Sequence, residues 1–257
     1  MCGRYLLTTP AAEVAAVFGA DPSALPAVGP RYNIAPTQAV MTVRAVQDGQ
    51  GREKRVLSMM RWGMIPRWAR AEDIGSDVPN CEVEAAFGDG FGDADGALGE
   101  GGGKPMFRES IRSRRCLLPA DGYFEWTSGE GSLGRVPMLV RVGDGGEGRE
   151  AGELFAMAGV WDVWERGESG LGGGVGGMVE SCAVVTVRSV GAEEPVRRIH
   201  GRMPVILPRG SWATWLDGTT EMERVREICV AYAGAVEVRA VGKAVNSPRN
   251  DGPGVLV

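Results

Sequence analysis

The chain has 257 residues, of which 44% are hydrophobic and 24% are charged, and this is the composition of an ordinary soluble globular protein. No apolar run reaches the roughly 18 residues that a membrane-spanning helix needs, and the polar segment after Met1 does not resemble a secretory signal. The net charge of −5 argues only superficially against a nucleic-acid partner. We therefore expect an intracellular protein, in the cytoplasm (nucleoid) of a bacterium or the nucleus of a eukaryote.

A short helix is predicted near the start, where Thr9-Pro10 precedes apolar residues at helical spacing that end at Phe18 and Gly19. Short runs rich in Val, Trp and Tyr then predict strands at 39–46, 55–62, 116–118, 123–127, 137–142, 154–164, 182–188 and 236–241. Helical periodicity returns at 212–216 and 222–232. This pattern predicts an α+β fold, with a single domain over residues 1–257, a curled, barrel-like mixed or antiparallel β-sheet and short flanking helices.

Three glycine-rich stretches, at 88–104, 142–153 and 165–178, interrupt this pattern. They hold half of the 40 glycines and a net charge of −7, so the rest of the chain carries +2. We expect them to be flexible loop insertions on the surface. Charge in such loops says little about a binding face, so a nucleic-acid partner remains compatible with the sequence.

The five cysteines are widely spaced, odd in number and without any C-x-x-C pair; they are Cys2, Cys81, Cys116, Cys182 and Cys229. This arrangement suits neither a disulfide framework nor a zinc site, and we expect reduced thiols, no metal and no cofactor. The last three lie among apolar neighbours and are predicted to be core residues.

The single histidine, His200, lies between a predicted short helix and a strand, and three arginines, Arg197, Arg198 and Arg202, lie within three residues of it. A lone histidine is more often a packed or capping residue than a catalyst. Three neighbouring arginines are an unusual core environment and suit an anion site. Both interpretations stay open from these residues alone.

Glu125 lies between two large aromatic residues, just after the turn sequence Pro-Ala-Asp-Gly at 119–122. Desolvation there would raise the pKa of its carboxyl group, which would suit a general acid. An exposed glutamate at a strand edge explains the same alternation equally well.

Cys2 follows a methionine that is ordinarily removed before so small a residue. Removal would leave a free α-amine, with a pKa near 7.7–8.0, beside a thiol. Such a 1,2-aminothiol condenses with an aldehyde, such as the ring-opened sugar of an abasic nucleotide: the amine forms an imine and the thiol closes it to a thiazolidine. Taken alone, Cys2 is equally an accidental second residue.

Cys2, Glu125 and His200 each lie within one of five sequence motifs that occur in a fixed order along the chain. The motifs are Met-Cys-Gly-Arg-Tyr at 1–5, Arg-Tyr-Asn-Ile-Ala-Pro-Thr at 31–37, Arg-Trp-Gly-Met-Ile-Pro-Arg-Trp at 61–68, Arg-Cys-Leu-Leu-Pro-Ala-Asp-Gly-Tyr-Phe-Glu-Trp at 115–126 and Ile-His-Gly-Arg-Met-Pro at 199–204. In this order they resemble the SOS response-associated peptidase (SRAP) family over nearly the whole chain. The resemblance implies a single domain with a groove for single-stranded DNA and a covalent thiazolidine link to abasic sites. It also implies an intracellular, DNA-damage role; we expect a monomer that has no membrane partner.

The resemblance implies four catalytic residues. Cys2 would be the nucleophile after Met1 is removed, Glu125 the acid and base, and His200 a group near the sugar and its phosphate. Asn80 falls where the family has an asparagine that orients the N-terminal cysteine.

Four further residues are implied to contact DNA. Arg4 and Arg202 would bind phosphates, and Trp62 and Trp68 would stack against bases or wedge between them. The chain departs from the family at Glu82, where an arginine is common after the asparagine; a carboxylate there would repel a phosphate.

Two other functions fit the same residues less well. A peptidase or amidase with an N-terminal nucleophile would use Cys2 with its own amine as the base. A DNA-binding module without covalent chemistry would leave Cys2 idle. An adduct with abasic single-stranded DNA that survives denaturation would separate the three functions.

Overall fold

A computed structural model describes residues 2–69, 78–88, 104–127, 134–143, 153–165 and 177–257. The predicted insertions at 88–104, 142–153 and 165–178 therefore lie almost entirely outside the described residues, and the single domain over 1–257 stays a prediction.

Within the described ranges the strands are short and numerous: β1 (Arg4–Leu7), β2 (Ala20–Asp21), β3 (Arg31–Ile34), β4 (Ala39–Gln47), β5 (Glu53–Trp62), β6 (Asn80–Glu82), β7 (Arg115–Ala120), β8 (Gly122–Trp126), β9 (Pro137–Val142), β10 (Phe155–Glu165), β11 (Met178–Arg188), β12 (Arg202–Pro204), β13 (Ile206–Leu207) and β14 (Val236–Ala240). The helices are α1 (Ala11–Phe18), α2 (Val83–Phe87), α3 (Pro105–Ser113), α4 (Glu194–Ile199), α5 (Trp212–Leu216) and α6 (Met222–Glu227). Short 3-10 helices occupy Arg209–Ser211, Lys243–Asn246 and Pro253–Leu256.

The larger sheet closes on itself. Strands β5, β4, β7, β10 and β11 follow one another in antiparallel pairs, and β11 then pairs with β5 in parallel, with Ser181 opposite Arg61 and Cys182 opposite Trp62. Closure leaves these strands without free edges, which is how a barrel avoids unpaired backbone groups. The predicted α+β fold with a barrel-like sheet is confirmed.

The second sheet has the strand order β14-β9-β8-β1-β3, so the amino-terminal strand lies between β8 and β3. One of its faces joins the main core through Tyr5 and Tyr123. The other covers a smaller apolar cluster made of Leu6, Phe124, Leu139, Val241, Val245 and Val255. Strands β1 and β8 are therefore buried on both faces, so a polar side chain on either strand faces a dry environment.

The predicted strands and the first helix are confirmed, with shifted ends. Helix α1 ends at Gly19, whose φ of +60° is left-handed and favours glycine. The helix predicted over 222–232 ends at Glu227, although Cys229 remains buried and Tyr232 packs against the core. In this segment the spacing of apolar residues reflects which residues are buried, and these continue past the end of the helix. No helix within the described ranges is long and apolar enough to cross a membrane.

Candidate active site

Cys2 lies just before β1 and is fully buried. Strand β1 pairs with β8 so that Tyr5 is opposite Tyr123. The same antiparallel register, continued by two positions, sets Gly3 opposite Glu125. The strand pairing therefore brings the amino terminus of the chain to the Glu125 end of β8, as the sequence motifs imply.

Burial controls the protonation of both groups. It raises the pKa of the Cys2 thiol, and the nearby Glu125 raises it further. Burial also raises the pKa of the Glu125 carboxyl group, an effect that the positive amino terminus and His200 partly offset. Glu125 is only 5% exposed, so of the two interpretations left open by its sequence the desolvated carboxyl is the one observed. A neutral thiol beside a carboxyl that can hold a proton suits condensation chemistry.

Tyr123 is a further buried residue near Cys2 and Glu125 that the motifs did not single out. It is two residues before Glu125 and so shares its face of β8, and its buried hydroxyl has no hydrogen-bond partner among the described residues. Burial raises the pKa of this phenol, with smaller contributions from Cys2 and Glu125. The strand alternation in the 122–126 run was the signal that could have identified it.

His200 follows α4 and precedes β12, as predicted. Its Nδ1 atom lies 3.0 Å from the backbone nitrogen of Arg202 and 3.1 Å from the carbonyl oxygen of the same residue, so the Arg202 backbone holds the ring in place. Its carbonyl accepts a bond of 2.9 Å from Ser189 Oγ. The charge of His200 acts on Glu125, which ties the two residues to one site.

Asn80 begins β6, which lies parallel to β11 with Asn80 opposite Val184. The preceding carbonyl, that of Pro79, accepts bonds from Val184 N (2.9 Å) and from the indole of Trp62 (2.8 Å). The Oδ1 atom of Asn80 is buried without a hydrogen-bond partner in the part of the chain that the structure describes. Buried polar atoms are nearly always paired, so this amide is available for a group that the described chain does not provide.

The two tryptophans expected to stack on bases differ. Trp62 is fully buried, its indole N–H is bonded to Pro79, and its ring packs edge to face on Tyr5 with centroids 5.3 Å apart. A ring without an exposed face cannot stack on a base, so the prediction is wrong for Trp62, which is a core residue. Trp68 is 60% exposed, as a stacking residue must be.

Arg4 is tied to the carboxy-terminal part of the chain. Its guanidinium donates bonds to Asn33 Oδ1 (2.9 Å) and to the carbonyls of Val245 (2.6 Å) and Asn246 (3.1 Å), and it lies 6.0 Å from the ring centre of Trp126. Within the described residues, two of its five N–H donors, Nε and one on Nη2, have no partner and are left for a phosphate.

Arg202, the other predicted phosphate contact, has carboxylate partners. Its two terminal nitrogens donate to Glu84 at 3.3 and 2.9 Å, and one also donates to the Thr186 carbonyl at 2.9 Å. Glu82 is 3.7 Å from its Nε atom. A bidentate pair of this kind fixes the guanidinium, and it offsets much of the charge that a phosphate would meet. The carboxylate at position 82 thus contacts a predicted phosphate-binding arginine.

The motif at 31–37 contributes structure to the site. Asn33 is fully buried and donates to three carbonyls of the carboxy-terminal segment, at 245, 247 and 250. Thr37 has a φ of +75°, unusual for a β-branched residue, and its N–H donates to the Trp62 carbonyl at 2.6 Å. The hydrogen bond from this strained residue holds the end of β5 in place. No three His, Cys, Asp or Glu side chains within the described ranges could together hold a metal ion.

Comparisons with known proteins identify relatives of the whole chain. The family model described as SOS response associated peptidase (SRAP) matches residues 1–94 and 97–248. Abasic site processing protein YoqW of Bacillus subtilis (strain 168) is 30% identical over 100% of this chain and 99% of its own length. Abasic site processing protein HMCES of Gallus gallus is 29% identical over 89% of this chain and 66% of its own length.

Solved structures share the fold. A protein from Bacteroides thetaiotaomicron superposes with a TM-score of 0.73 at 20% identity, covering 99% of this chain and 98% of that one. A protein from Bordetella bronchiseptica gives 0.66 at 24% identity over 94% of this chain and 100% of that one. With the family model matched along nearly its whole length, the chain belongs to the SRAP family.

Proposed function

We propose that this protein processes abasic sites in single-stranded DNA by forming a covalent thiazolidine link through Cys2 after Met1 is removed. The observation that carries the proposal is the strand pairing by which β1 brings the buried Cys2 to Glu125, a buried carboxyl group with a raised pKa. Relatives named for abasic site processing, similar over the full length of the chain, support the substrate class.

The proposed chemistry is a condensation. In the encoded chain the Cys2 nitrogen is part of a peptide bond, so removal of Met1 is needed to free the amine. That amine adds to the C1′ aldehyde of the ring-opened abasic sugar, and loss of one water gives an imine. The Cys2 sulfur then bonds to C1′ while the thiol proton passes to the imine nitrogen, which closes the five-membered ring. No oxidant or reductant is required.

Glu125 would act on the oxygen that leaves. A carboxyl group with a raised pKa keeps its proton to higher pH and can donate it to the departing hydroxyl, which leaves as water. His200 would stand near the sugar phosphate, with its ring held by the Arg202 backbone. The unpaired Oδ1 of Asn80 would accept a hydrogen bond from the freed Cys2 amine.

The decisive experiment incubates the purified protein with a single-stranded oligonucleotide that carries one abasic site. We expect an adduct that survives denaturation without any added reductant. Its mass should equal the protein without Met1 plus the oligonucleotide minus one water. Peptide hydrolysis without an adduct would favour an N-terminal-nucleophile peptidase, and binding alone would favour a non-covalent module. An adduct that retains Met1 would overturn the proposed role of the amine.

A further inference from the structure

The segment after Trp62 ends in a tight turn that presents two side chains to solvent. The N–H of Ala69 donates to the Pro66 carbonyl at 2.8 Å and closes the turn. Arg67 and Trp68 form its tip, with the Arg67 side chain 50% exposed and Trp68 60% exposed. An exposed indole gives up the stabilisation that burial of a large ring provides, so its exposure calls for a reason.

Strands β10 and β11 hold this turn at three points. Ser181 Oγ accepts from the N–H of residue 65 at 2.8 Å, Asp162 Oδ2 accepts from the N–H of residue 67 at 3.1 Å, and the Trp164 indole donates to the carbonyl of residue 69 at 2.7 Å. Asp162 and Ser181 are directly opposite each other in the sheet. Three side chains on neighbouring strands thus bind alternate residues of one irregular segment.

Asp162 is the central anchor and carries the charge. It is 3% exposed, and its other oxygen accepts from Val163 N at 2.9 Å and lies 3.3 Å from Arg114 Nε and 3.4 Å from Arg67 Nε. Two arginines therefore compensate a carboxylate that would otherwise be costly to bury. Because Arg67 contacts Asp162 through both backbone and side chain, the carboxylate fixes the base of the turn.

We propose that Asp162 is a positioning residue for single-stranded DNA, which holds the 65–69 turn so that Trp68 stacks on an unpaired base. The inference rests on the proposed function for its ligand. An aromatic ring with an exposed face matches the way proteins bind single strands, where the ring stacks on a base. A prepositioned ring also avoids the entropy of ordering a loop on binding.

The test measures the affinity of Asp162→Ala, Asp162→Asn, Trp68→Ala and the double variant Asp162→Ala/Trp68→Ala for an undamaged single-stranded oligonucleotide. We expect Trp68→Ala to weaken binding about tenfold, the lower part of the range for one lost stacking contact. Asp162→Ala should weaken it nearly as much, and the double variant no more than Trp68→Ala alone. Asp162→Asn keeps an oxygen for the Arg67 N–H and should retain most of the affinity.

Two further variants keep the test decisive. Glu180→Ala removes a carboxylate of β11 that pairs with Arg44 at 2.7 Å and is not one of the turn's three anchors, so binding should stay at the wild-type level. Trp164→Phe keeps a buried aromatic ring but removes the indole N–H that holds residue 69, and it should weaken binding about threefold even if Asp162→Ala does not fold.

Losses that multiply in the double variant, or wild-type affinity in Asp162→Ala, would overturn the inference. So would unchanged DNA binding in Trp68→Ala, which would indicate that the exposed ring serves a protein partner. The proposed function is tested separately by measuring adduct formation at saturating DNA. All of these variants should still form the adduct. Failure of the positioning role and failure of the covalent chemistry are therefore distinguishable.

Discussion

Trp62 and Trp68 are six residues apart in one motif, yet they belong to two regions with different physical properties. Trp62 is fully buried against Tyr5 and Pro79, in the same core cluster as Cys2. Trp68 is at the tip of a turn with most of its ring in solvent. The interior suits proton transfer and covalent chemistry, because burial raises the pKa values there. The turn suits binding.

This comparison leads to a division of labour that variants can break. Changes in the interior should alter the rate of adduct formation and leave the affinity for undamaged DNA unchanged. Changes at the turn should do the opposite. Any interior variant whose main effect is on affinity would contradict the division.

Cys2→Ala should have the largest effect and abolish the adduct, since position 2 is where one residue can offer both the amine and the thiol once Met1 is removed. The affinity for undamaged single-stranded DNA should stay within about twofold, as expected for a buried side chain away from the turn. Gel analysis under denaturing conditions measures the adduct. Cys229→Ala, which also removes a buried free thiol, is the matched control and should react normally. An adduct of normal yield from Cys2→Ala would contradict the mechanism.

Glu125→Gln should slow adduct formation by about 10²-fold, the usual contribution of general acid–base catalysis. In the wild type the rate should fall as pH rises through the raised pKa of Glu125, since the acid form is then lost, and this limb should be missing in the variant. Single-turnover rates across a pH series measure both effects. Glu237→Gln alters an exposed carboxylate of the same sheet and should leave the profile unchanged.

The same variant should be more stable than the wild type at neutral pH. Because the folded-state pKa of Glu125 lies above its ordinary value of 4.5, ionisation of this group opposes folding. The stability that the protonated Glu125 carboxyl group contributes is fully present below the ordinary pKa and is lost as pH rises through the folded-state pKa. Thermal melting of both proteins should therefore diverge as pH increases from about 4. A wild type that is as stable as the variant at neutral pH would show that Glu125 ionises without penalty.

Trp62→Phe should slow the adduct about tenfold, because Pro79 loses its indole partner and Asn80 is then less firmly placed. The Pro79 carbonyl keeps its bond from Val184 N (2.9 Å), so the loss of the indole hydrogen bond should lower the free energy of unfolding by about 0.5–1.5 kcal/mol. Trp215→Phe is the matched control: that ring is equally buried and donates to the Cys116 carbonyl at 2.8 Å. It should lose similar stability with no change in rate. Weaker DNA binding in Trp62→Phe, with a normal rate of adduct formation, would indicate that Trp62 stacks on DNA after all.

The sequence predicted much of the interior site but not how its tryptophans are distributed. Motifs identified Cys2, Glu125 and His200, and the structure connects these three through strand pairing and charge. Burial of Trp62 depends on β11 pairing with β5 and on the bond from Thr37, contacts between segments that are distant in sequence. Local spacing carries no information about such contacts.

The arginines illustrate the same limit. Arg202 and Glu84 are separated by 118 residues, and their bidentate pair forms only because β6 and β12 both lie against β11. A sequence shows that a fixed positive charge is present, but not whether a carboxylate already compensates it. Asp162 was likewise hidden, because its role arises from the pairing of β10 with β11.

Glu82→Gln should have the smallest effect and locates the boundary between the two regions. The Glu82 side chain is 40% exposed and lies 3.7 Å from Arg202, a loose pair, so its loss should change the free energy of unfolding by less than about 0.5 kcal/mol.

Removing the carboxylate leaves more of the Arg202 charge for a phosphate, and the affinity for undamaged single-stranded DNA should rise about twofold at low salt. The gain should shrink as salt is added, because screening weakens interactions between exposed charges. Equilibrium binding at several salt concentrations measures it, and Glu227→Gln, another exposed carboxylate paired with an arginine, is the control. If Glu82→Gln bound DNA no better than this control, Arg202 would belong to the structural interior, held by Glu84, and the DNA path would run along the Arg67–Trp68 turn without it.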